Sequence, residues 1–234
     1  MTSTDSLSEC DRVRARYERR KAIPLDRYSP LAADVILTRQ EKYRAMIRLL
    51  RRADMLPVCD KRALEIGCGS GGNLRLLLDM GFEPANLCGN DLLEERCAQA
   101  RAALPAGVRI AGGDATELTF QDESFDLVIQ STVFSSILDE SFRKRLAARM
   151  WRLARPGGGV LWYDFMYDNP RNPDVRGISY REIKALFPEG TIAGERITLA
   201  PPLARLVAPI HPGLYAVVNA LPLLRSHWLC WIRK

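Results

Sequence analysis

Three carboxylates and a run of glycines are the residues of this chain whose types and spacing suit chemistry. Glu65 precedes Gly67-Cys68-Gly69-Ser70-Gly71-Gly72, and Asp91 and Asp114 follow at later points in the chain. Glycines let the main chain take conformations closed to other residues and let a ligand approach the backbone closely. A helix opening there adds free N–H groups and the positive end of its dipole. Such a turn suits a nucleotide, or a nucleoside with a charged tail. A carboxylate at the end of a second strand can accept both hydroxyls of a ribose, and one beyond a third can take the amino group of an adenine ring. The plain alternative is a glycine-rich connection in an ordinary α/β fold.

The elements around these residues form a regular alternation. Apolar runs predict strands at Ala63–Ile66, Leu87–Asn90, Val108–Ala111, Phe125–Gln130 and Val160–Phe165, with Asp91 and Asp114 just past the second and third. Helical patterns separate them at Gly71–Met80, Leu93–Leu104 and about Asp139–Leu153. Arg155-Pro156-Gly157-Gly158-Gly159 reads as a turn before the fifth strand. Strands separated by helices mean a parallel sheet covered on both faces, which binds ligands at the carboxyl ends of its strands. Ahead of this, residues 1–57 read as a helical extension. It has a charged helix over Asp11–Lys21, a proline-bracketed loop, and a long helix over Leu31–Ala53 with Ile36, Tyr43, Ile47 and Leu50 as its apolar stripe. Behind it, Ser179-Tyr180-Arg181-Glu182 is a capping box, and Thr191–Thr198 and Trp228–Ile232 read as strands. Residues 58–234 therefore form the main domain.

Composition bounds the rest. The chain has 234 residues, 47% apolar and 26% charged, with a net charge of +6 concentrated before residue 63 and at the C-terminus. No nucleic-acid-binding motif accompanies the basic excess, so nucleic acid is disfavoured as a partner. The six cysteines show neither metal-type spacing nor a disulfide framework. Free thiols and no N-terminal apolar h-region predict a cytoplasmic protein. No charge-free run makes a convincing membrane span, since Leu206–Leu224 is interrupted by Pro209, Pro212 and Pro222. No metal site is expected.

Five pieces in order resemble the class I S-adenosylmethionine-dependent methyltransferases over roughly residues 60–165. They are Glu65-Ile66-Gly67-Cys68-Gly69-Ser70-Gly71, Gly89-Asn90-Asp91, Gly113-Asp114-Ala115, Glu123-Ser124-Phe125-Asp126-Leu127-Val128 and Arg155-Pro156-Gly157-Gly158. The resemblance implies a Rossmann-like α/β sheet of seven strands, mostly parallel with the last antiparallel, and S-adenosylmethionine as cofactor. It implies that Gly67, Gly69 and Gly71 line the methionine part, with Glu65 supporting the turn. Asp91 would hold the ribose, Asp114 and Ala115 the adenine, and Gln130 the amino-acid end. Cys68, Asn73 and Leu92 join this cofactor-binding set. Asn90 departs from the apolar residue usual at its position.

A nicotinamide-dinucleotide oxidoreductase competes, because Gly67, Gly69 and Gly72 satisfy G-x-G-x-x-G with Asp91 about 20 residues on. Glu65 beside the turn would repel a pyrophosphate, however, and the later motifs have no role in that scheme. A non-catalytic S-adenosylmethionine-binding module is the other alternative. Methyl transfer needs mainly alignment and exclusion of water, and a base only when the acceptor is protonated. The expected acceptor is a small molecule, best a hydroxyl of a sugar unit or secondary metabolite, with a lipid-linked acceptor left open. Candidate catalytic residues are His211 and Asp164, with Tyr163, Tyr167 and Asp168 nearby. Tyr163 also suits sheet packing, and Asp168 a loop. Tyr17 and Tyr28 are candidates to close over the cofactor, with simple packing as the alternative. Residues 201–224, between two strands expected to pair, form a possible helical lid carrying His211; the alternative is packing on the sheet with His211 exposed.

Overall fold

The computed structural model describes residues 7–21, 27, 29–169 and 172–234. Tyr28 lies outside them, as does most of the loop before it. The sequence predicted seven strands, and the structure builds seven into one sheet. In chain order they are β1 (Ala63–Ile66), β2 (Leu87–Asp91), β3 (Arg109–Gly112), β4 (Phe125–Ser131), β5 (Ala154–Phe165), β6 (Thr191–Leu199) and β7 (Arg225–Arg233). Their spatial order is β3-β2-β1-β4-β5-β7-β6, and β7 alone runs antiparallel, paired with β5 on one side and β6 on the other. The strand order reverses between β1 and β4, and ligands of open α/β sheets bind at such a switch.

The helices are α1 (Glu9–Arg20), α2 (Ala33–Arg52), α3 (Gly72–Asp79), α4 (Glu94–Ala103), α5 (Glu140–Leu153), α6 (Tyr180–Leu186), α7 (Pro201–Val207) and α8 (Pro212–Asn219). Alternation along the strands sorts the core into two layers. Leu161 and Tyr163 of β5, with Leu229 and Trp231 of β7, pack with α2, α3 and α4. Val160, Trp162, Cys230 and Ile232 face the other way, onto α1, α5 and α6. The buried stripe of α2 is Ala45, Met46, Leu49 and Leu50. Of the expected stripe only Leu50 belongs to it, and Ile36 is exposed, because only the second half of α2 lies on the sheet.

The expected turn at Arg155–Gly159 is instead the irregular start of β5. Pairing passes from Phe125↔Ala154 to Leu127↔Gly159, and the extra residues are taken up there. Gly159 permits this because a Cβ would come within 2.4 Å of the Ile232 carbonyl oxygen.

The strongly charged α1 is fixed by a buried ion pair. Arg16 donates to Glu9 Oε1 at 2.9 Å and to the Ser136 carbonyl at 3.0 Å, while the Leu138 N–H donates to the same Glu9 oxygen at 2.9 Å. Those contacts lay α1 across the connection from β4 to α5. The segment between β6 and β7 forms α7 and α8, whose Ala204, Val207 and Tyr215 pack on Leu199 of β6 and on Ala33 and Leu37 of α2.

Candidate functional site

A cavity of about 790 Å³ lies over the carboxyl ends of β1, β2 and β4. Its floor is the glycine turn. Gly67, Gly69 and Gly71 all have positive φ, at 67°, 55° and 85°, a region that costs a side-chain-bearing residue strain. A Cβ on Gly67 would also strike Val133 at 2.4 Å. Gly72, by contrast, has open space where a Cβ would stand. In a dinucleotide fingerprint the third glycine permits close packing of helix on strand, a need Gly72 does not have.

Asp91 ties this turn to β2. Its Oδ2 accepts the Gly69 N–H at 2.8 Å and its Oδ1 the Leu93 N–H at 2.9 Å. Each carboxylate oxygen keeps a second lone pair for a ligand hydroxyl. Asp114 caps the turn after β3, accepting from the Thr116 N–H and hydroxyl at 2.8 Å each. The Cys10 thiol of α1 donates to its other oxygen at 3.3 Å, and burial beside this carboxylate pushes the thiol pKa up to about 12. Asn90 accounts for its unusual place in the second motif. Its amide donates to the carbonyls of Ala111 and Gly113 at 3.3 and 3.1 Å, holding the Asp114 loop against β2.

At the other end of the turn stands a charged relay. Asn73 Nδ2 donates to Glu65 Oε1 at 2.5 Å, and Lys42 Nζ of α2 donates to Asn73 Oδ1 at 2.7 Å. Lys42 also reaches Ser131 Oγ at 3.4 Å and lies 4.8 Å from the centre of the Tyr163 ring. Burial raises the Glu65 pKa and lowers that of Lys42, and their mutual attraction opposes both shifts. Glu65 Oε2 is buried without a hydrogen-bond partner among the described residues. A lone buried carboxylate oxygen on a cavity wall fits the α-ammonium of an amino-acid tail, and the adjacent lysine fits its carboxylate.

Glu65, Gly67, Cys68, Gly69, Asn73, Asp91, Leu92, Asp114 and Ala115 all line this cavity. Gly71 and Gln130 do not. Gly71 turns toward Leu104, and Gln130 is buried with its Oε1 accepting the Val133 N–H at 3.1 Å, which shapes the chain after β4. The two catalytic candidates also stand away from the cavity lining. Asp164 is fully buried, accepting N–H groups of Ser135 and Phe165, and burial pushes its pKa up to about 6. His211 is an exposed N-cap of α8, its Nδ1 accepting the Gly213 N–H at 3.0 Å. The 201–224 segment is helical, but it packs on α2 and β6. Tyr163 is sheet packing: its hydroxyl meets Thr198 at 2.9 Å and its ring stacks on His227. His227 is buried and pushed down to about 3 by burial and Lys42, so it stays neutral. Tyr167 is exposed, and Asp168 holds a loop by accepting the Gly177 N–H at 2.8 Å.

Sequence reading missed Lys42, Arg39 and Cys10, which line the cavity from the N-terminal helices. The signal for Lys42 was present, because it stands three and four residues before the buried Ala45 and Met46, on the same helix face. Tyr17 lines the cavity as well, between the guanidinium groups of Arg20 and Arg96 at 4.6 and 4.4 Å.

Sheet order, glycine turn and paired strand-end carboxylates define a nucleoside-binding α/β protein of the methyltransferase class. Residues 63–158 match the family model described as a methyltransferase domain. Over that segment, which is less than half of the chain, the protein is similar to the class I S-adenosylmethionine-dependent methyltransferases, and its sheet has their fold. It is 35% identical over 145 residues to the phthiotriol/phenolphthiotriol dimycocerosates methyltransferase 1 of Mycobacterium ulcerans, covering 58% of this chain and 52% of that one. It is 39% identical over 113 residues to the fatty-acid O-methyltransferase of Mycolicibacterium smegmatis, covering 47% of this chain and 40% of that one. The chain thus spans about half the length, or less, of these relatives. A solved S-adenosylmethionine-dependent methyltransferase from Mesorhizobium loti superposes with a TM-score of 0.60 over 87% of this chain and 99% of that one. At 21% identity that likeness speaks for the fold alone. No helix among the described residues is long and apolar enough to cross a membrane, and no cluster among them has the make-up of a metal site.

Proposed function

We propose that the protein is an O-methyltransferase that moves the methyl group of S-adenosylmethionine to the carboxylate of a small, lipid-like acid. S-adenosylmethionine supplies an activated methyl on a good leaving group. The chain's own work is to hold that group in line with the acceptor and keep water out. In this reading Asp91 accepts the ribose hydroxyls and Asp114 the adenine amino group, beside Ala115 and Leu92. Glu65 takes the ammonium and Lys42 the carboxylate of the methionine tail, over Gly67, Cys68 and Gly69.

One observation carries the reading of the cofactor: the unpartnered Glu65 oxygen beside the Lys42–Asn73 relay on the wall that also holds Asp91. The choice of acceptor follows from what the cavity wall offers. A sugar or metabolite hydroxyl needs a base, and His211 and Asp164 both stand off the cavity. Neither described histidine lines it, while Asp91 and Asp114 are bound to backbone N–H groups. A carboxylic acid is already ionised at neutral pH and brings its own nucleophile. Arg39 on the cavity wall has no ion-pair partner among the described residues and suits an anionic head, and Val13, Ile137, Phe142 and Leu146 give the cavity apolar wall. The names of the two relatives point to lipid acceptors in the same way.

The test is to incubate the protein with S-adenosylmethionine and a panel of long-chain fatty acids, hydroxylated lipids and simple sugars, following products by mass spectrometry. Methyl esters of the acids are expected, with stoichiometric S-adenosylhomocysteine. Methyl ethers of the alcohols with no ester would overturn the acceptor reading. Calorimetric binding of NADH with no response to S-adenosylhomocysteine would overturn the cofactor reading.

A further inference from the structure

The α7–α8 segment buries little more than one side of each helix. On α7 the core-facing residues are Ala204 and Val207, which places Leu206 on the outer side. On α8 the core-facing residue is Tyr215, which places Val217 outward. Ile210 in the connecting turn, and Leu221 and Leu223 after α8, are likewise exposed. These five large apolar side chains are 58% to 82% exposed. Leu206 and Val217 belong to two helices that pack on each other and on the same base of α2 and β6, and the other three stand in the segments that join and follow those helices. Isolated exposed leucines are ordinary, but a cluster on one two-helix unit is not. Ile210 sits in a turn, Leu221 in a bend and Leu223 in a short 3-10 helix.

The charge around them is one-sided. From Arg196 to Arg225, the stretch that contains α7 and α8, the sequence has no acidic side chain, while it carries Arg196, Arg205 and Arg225. Arg205 is exposed beside Leu206 and has no ion-pair partner among the described residues. On the flanking helix, Asp34 is half-buried in the first turn of α2. Glu41 is taken up by the Tyr215 hydroxyl and the Thr198 N–H, both at 2.9 Å.

We propose that this face docks on an anionic phospholipid bilayer, with Leu206, Ile210, Val217, Leu221 and Leu223 entering the headgroup boundary and Arg205 meeting lipid phosphates. An amphipathic surface of this kind binds through its buried apolar area plus attraction to anionic lipid. The charge pattern favours a bilayer over a second copy of the chain, since the same face of a second copy offers no acidic side chain between Arg196 and Arg225 to meet Arg205. The docking face also shares a helix with the cavity. The turn of α2 that supports this unit, at Ala33–Leu37, is only a few residues before Arg39 and Lys42 in the cavity wall. At 1.5 Å per residue the two are separated by roughly 10 Å of helix. The docking stands whichever lipid or metabolite accepts the methyl group.

Co-sedimentation of the full chain with unilamellar vesicles tests this. Binding is expected to vesicles containing about one-third phosphatidylglycerol, and to be at least about tenfold weaker to pure phosphatidylcholine. Arg205→Gln should cost about fivefold, the worth of one cation near an anionic surface. Leu206→Asp with Val217→Asp should abolish sedimentation, with S-adenosylhomocysteine binding by calorimetry unchanged. Leu223→Ser, at a position 82% exposed, should weaken it as well. If the native chain stays in the supernatant with anionic vesicles, the proposal falls. It falls equally if the substitutions leave sedimentation unchanged, or if their only effect is to dissociate a dimer of the chain. A chain that sediments but does not bind S-adenosylhomocysteine would instead refute the methyltransferase reading and leave the docking intact.

Discussion

Replacing Lys42 with methionine tests the least expected part of the site. The substitution keeps most of the side chain's length and removes its charge. Lys42 donates to Asn73 Oδ1 at 2.7 Å, and Asn73 in turn donates to Glu65, so the ammonium sits where the cofactor's amino-acid tail is placed. A hydrogen bond to a charged group contributes about 1.5–3 kcal/mol. Lys42→Met should therefore weaken S-adenosylhomocysteine about 10- to 150-fold. 5′-Methylthioadenosine shares the nucleoside but lacks the amino-acid tail, so its affinity should stay within about twofold of native, inside the spread of surface effects. Titration calorimetry with both ligands gives the ratio directly. The substitution also removes the attraction that holds the Glu65 pKa down against burial, so that pKa should rise further. An ammonium tail binds best to ionised Glu65. Affinity for S-adenosylhomocysteine should thus fall with falling pH in both proteins, and should begin to fall at higher pH in the variant. Equal loss for both ligands would mean that Lys42 supports the fold rather than the tail. No loss for either would refute its placement at the site.

Asp91→Ala removes the acceptor of two backbone N–H groups as well as the ribose contact, so S-adenosylmethionine binding should weaken by about 1.5–3 kcal/mol in a protein that is still folded by circular dichroism. Unchanged affinity would place the ribose elsewhere. Asp164→Asn should change how stability depends on pH. The folded pKa of about 6 lies above the unfolded value of about 4, so the native protein binds the extra proton, and this group's contribution is lost as pH rises through that window. Urea unfolding at pH 4 and pH 7 should show a smaller fall for the variant, by roughly 1–4 kcal/mol; parallel curves would mean that Asp164 is ionised without cost.

The sheet was legible because its signals are local. Alternating apolar runs ending at Asp91 and Asp114, and glycines that only positive φ makes necessary, put β1, β2 and the turn in place without knowledge of the rest. What stayed hidden depends on contacts distant in sequence. Cys10 meets Asp114 across 104 residues, and Lys42 meets Ser131 across 89. The start of β5 misled because Pro156 and three glycines signal a turn, whereas here they let an irregular strand pass close to β7. His211 misled by its type: a histidine in an insertion near strand ends suggests a base, yet its ring caps α8 and the buried histidine is His227. Neither outcome was encoded in residue spacing, because the path of α7 and α8 is set by the apolar first half of α2 on which they rest.

That dependence on α2 gives the N-terminal helices a larger part than an appendage would have. The matched family segment begins at residue 63. It supplies the glycine turn, both nucleoside carboxylates and the β4 end of the cavity. It does not include the lysine of the Lys42–Asn73–Glu65 relay, the α1 side chains that line the cavity beside Asp114, or the base on which α7 and α8 sit. Lys42 of α2 is the first, Cys10, Val13 and Tyr17 of α1 the second, and Ala33 and Leu37 the third. A single helix, α2, therefore touches the sheet with its second half, the cavity with its middle and the α7–α8 unit with its first turns. That one element lies outside the matched family segment.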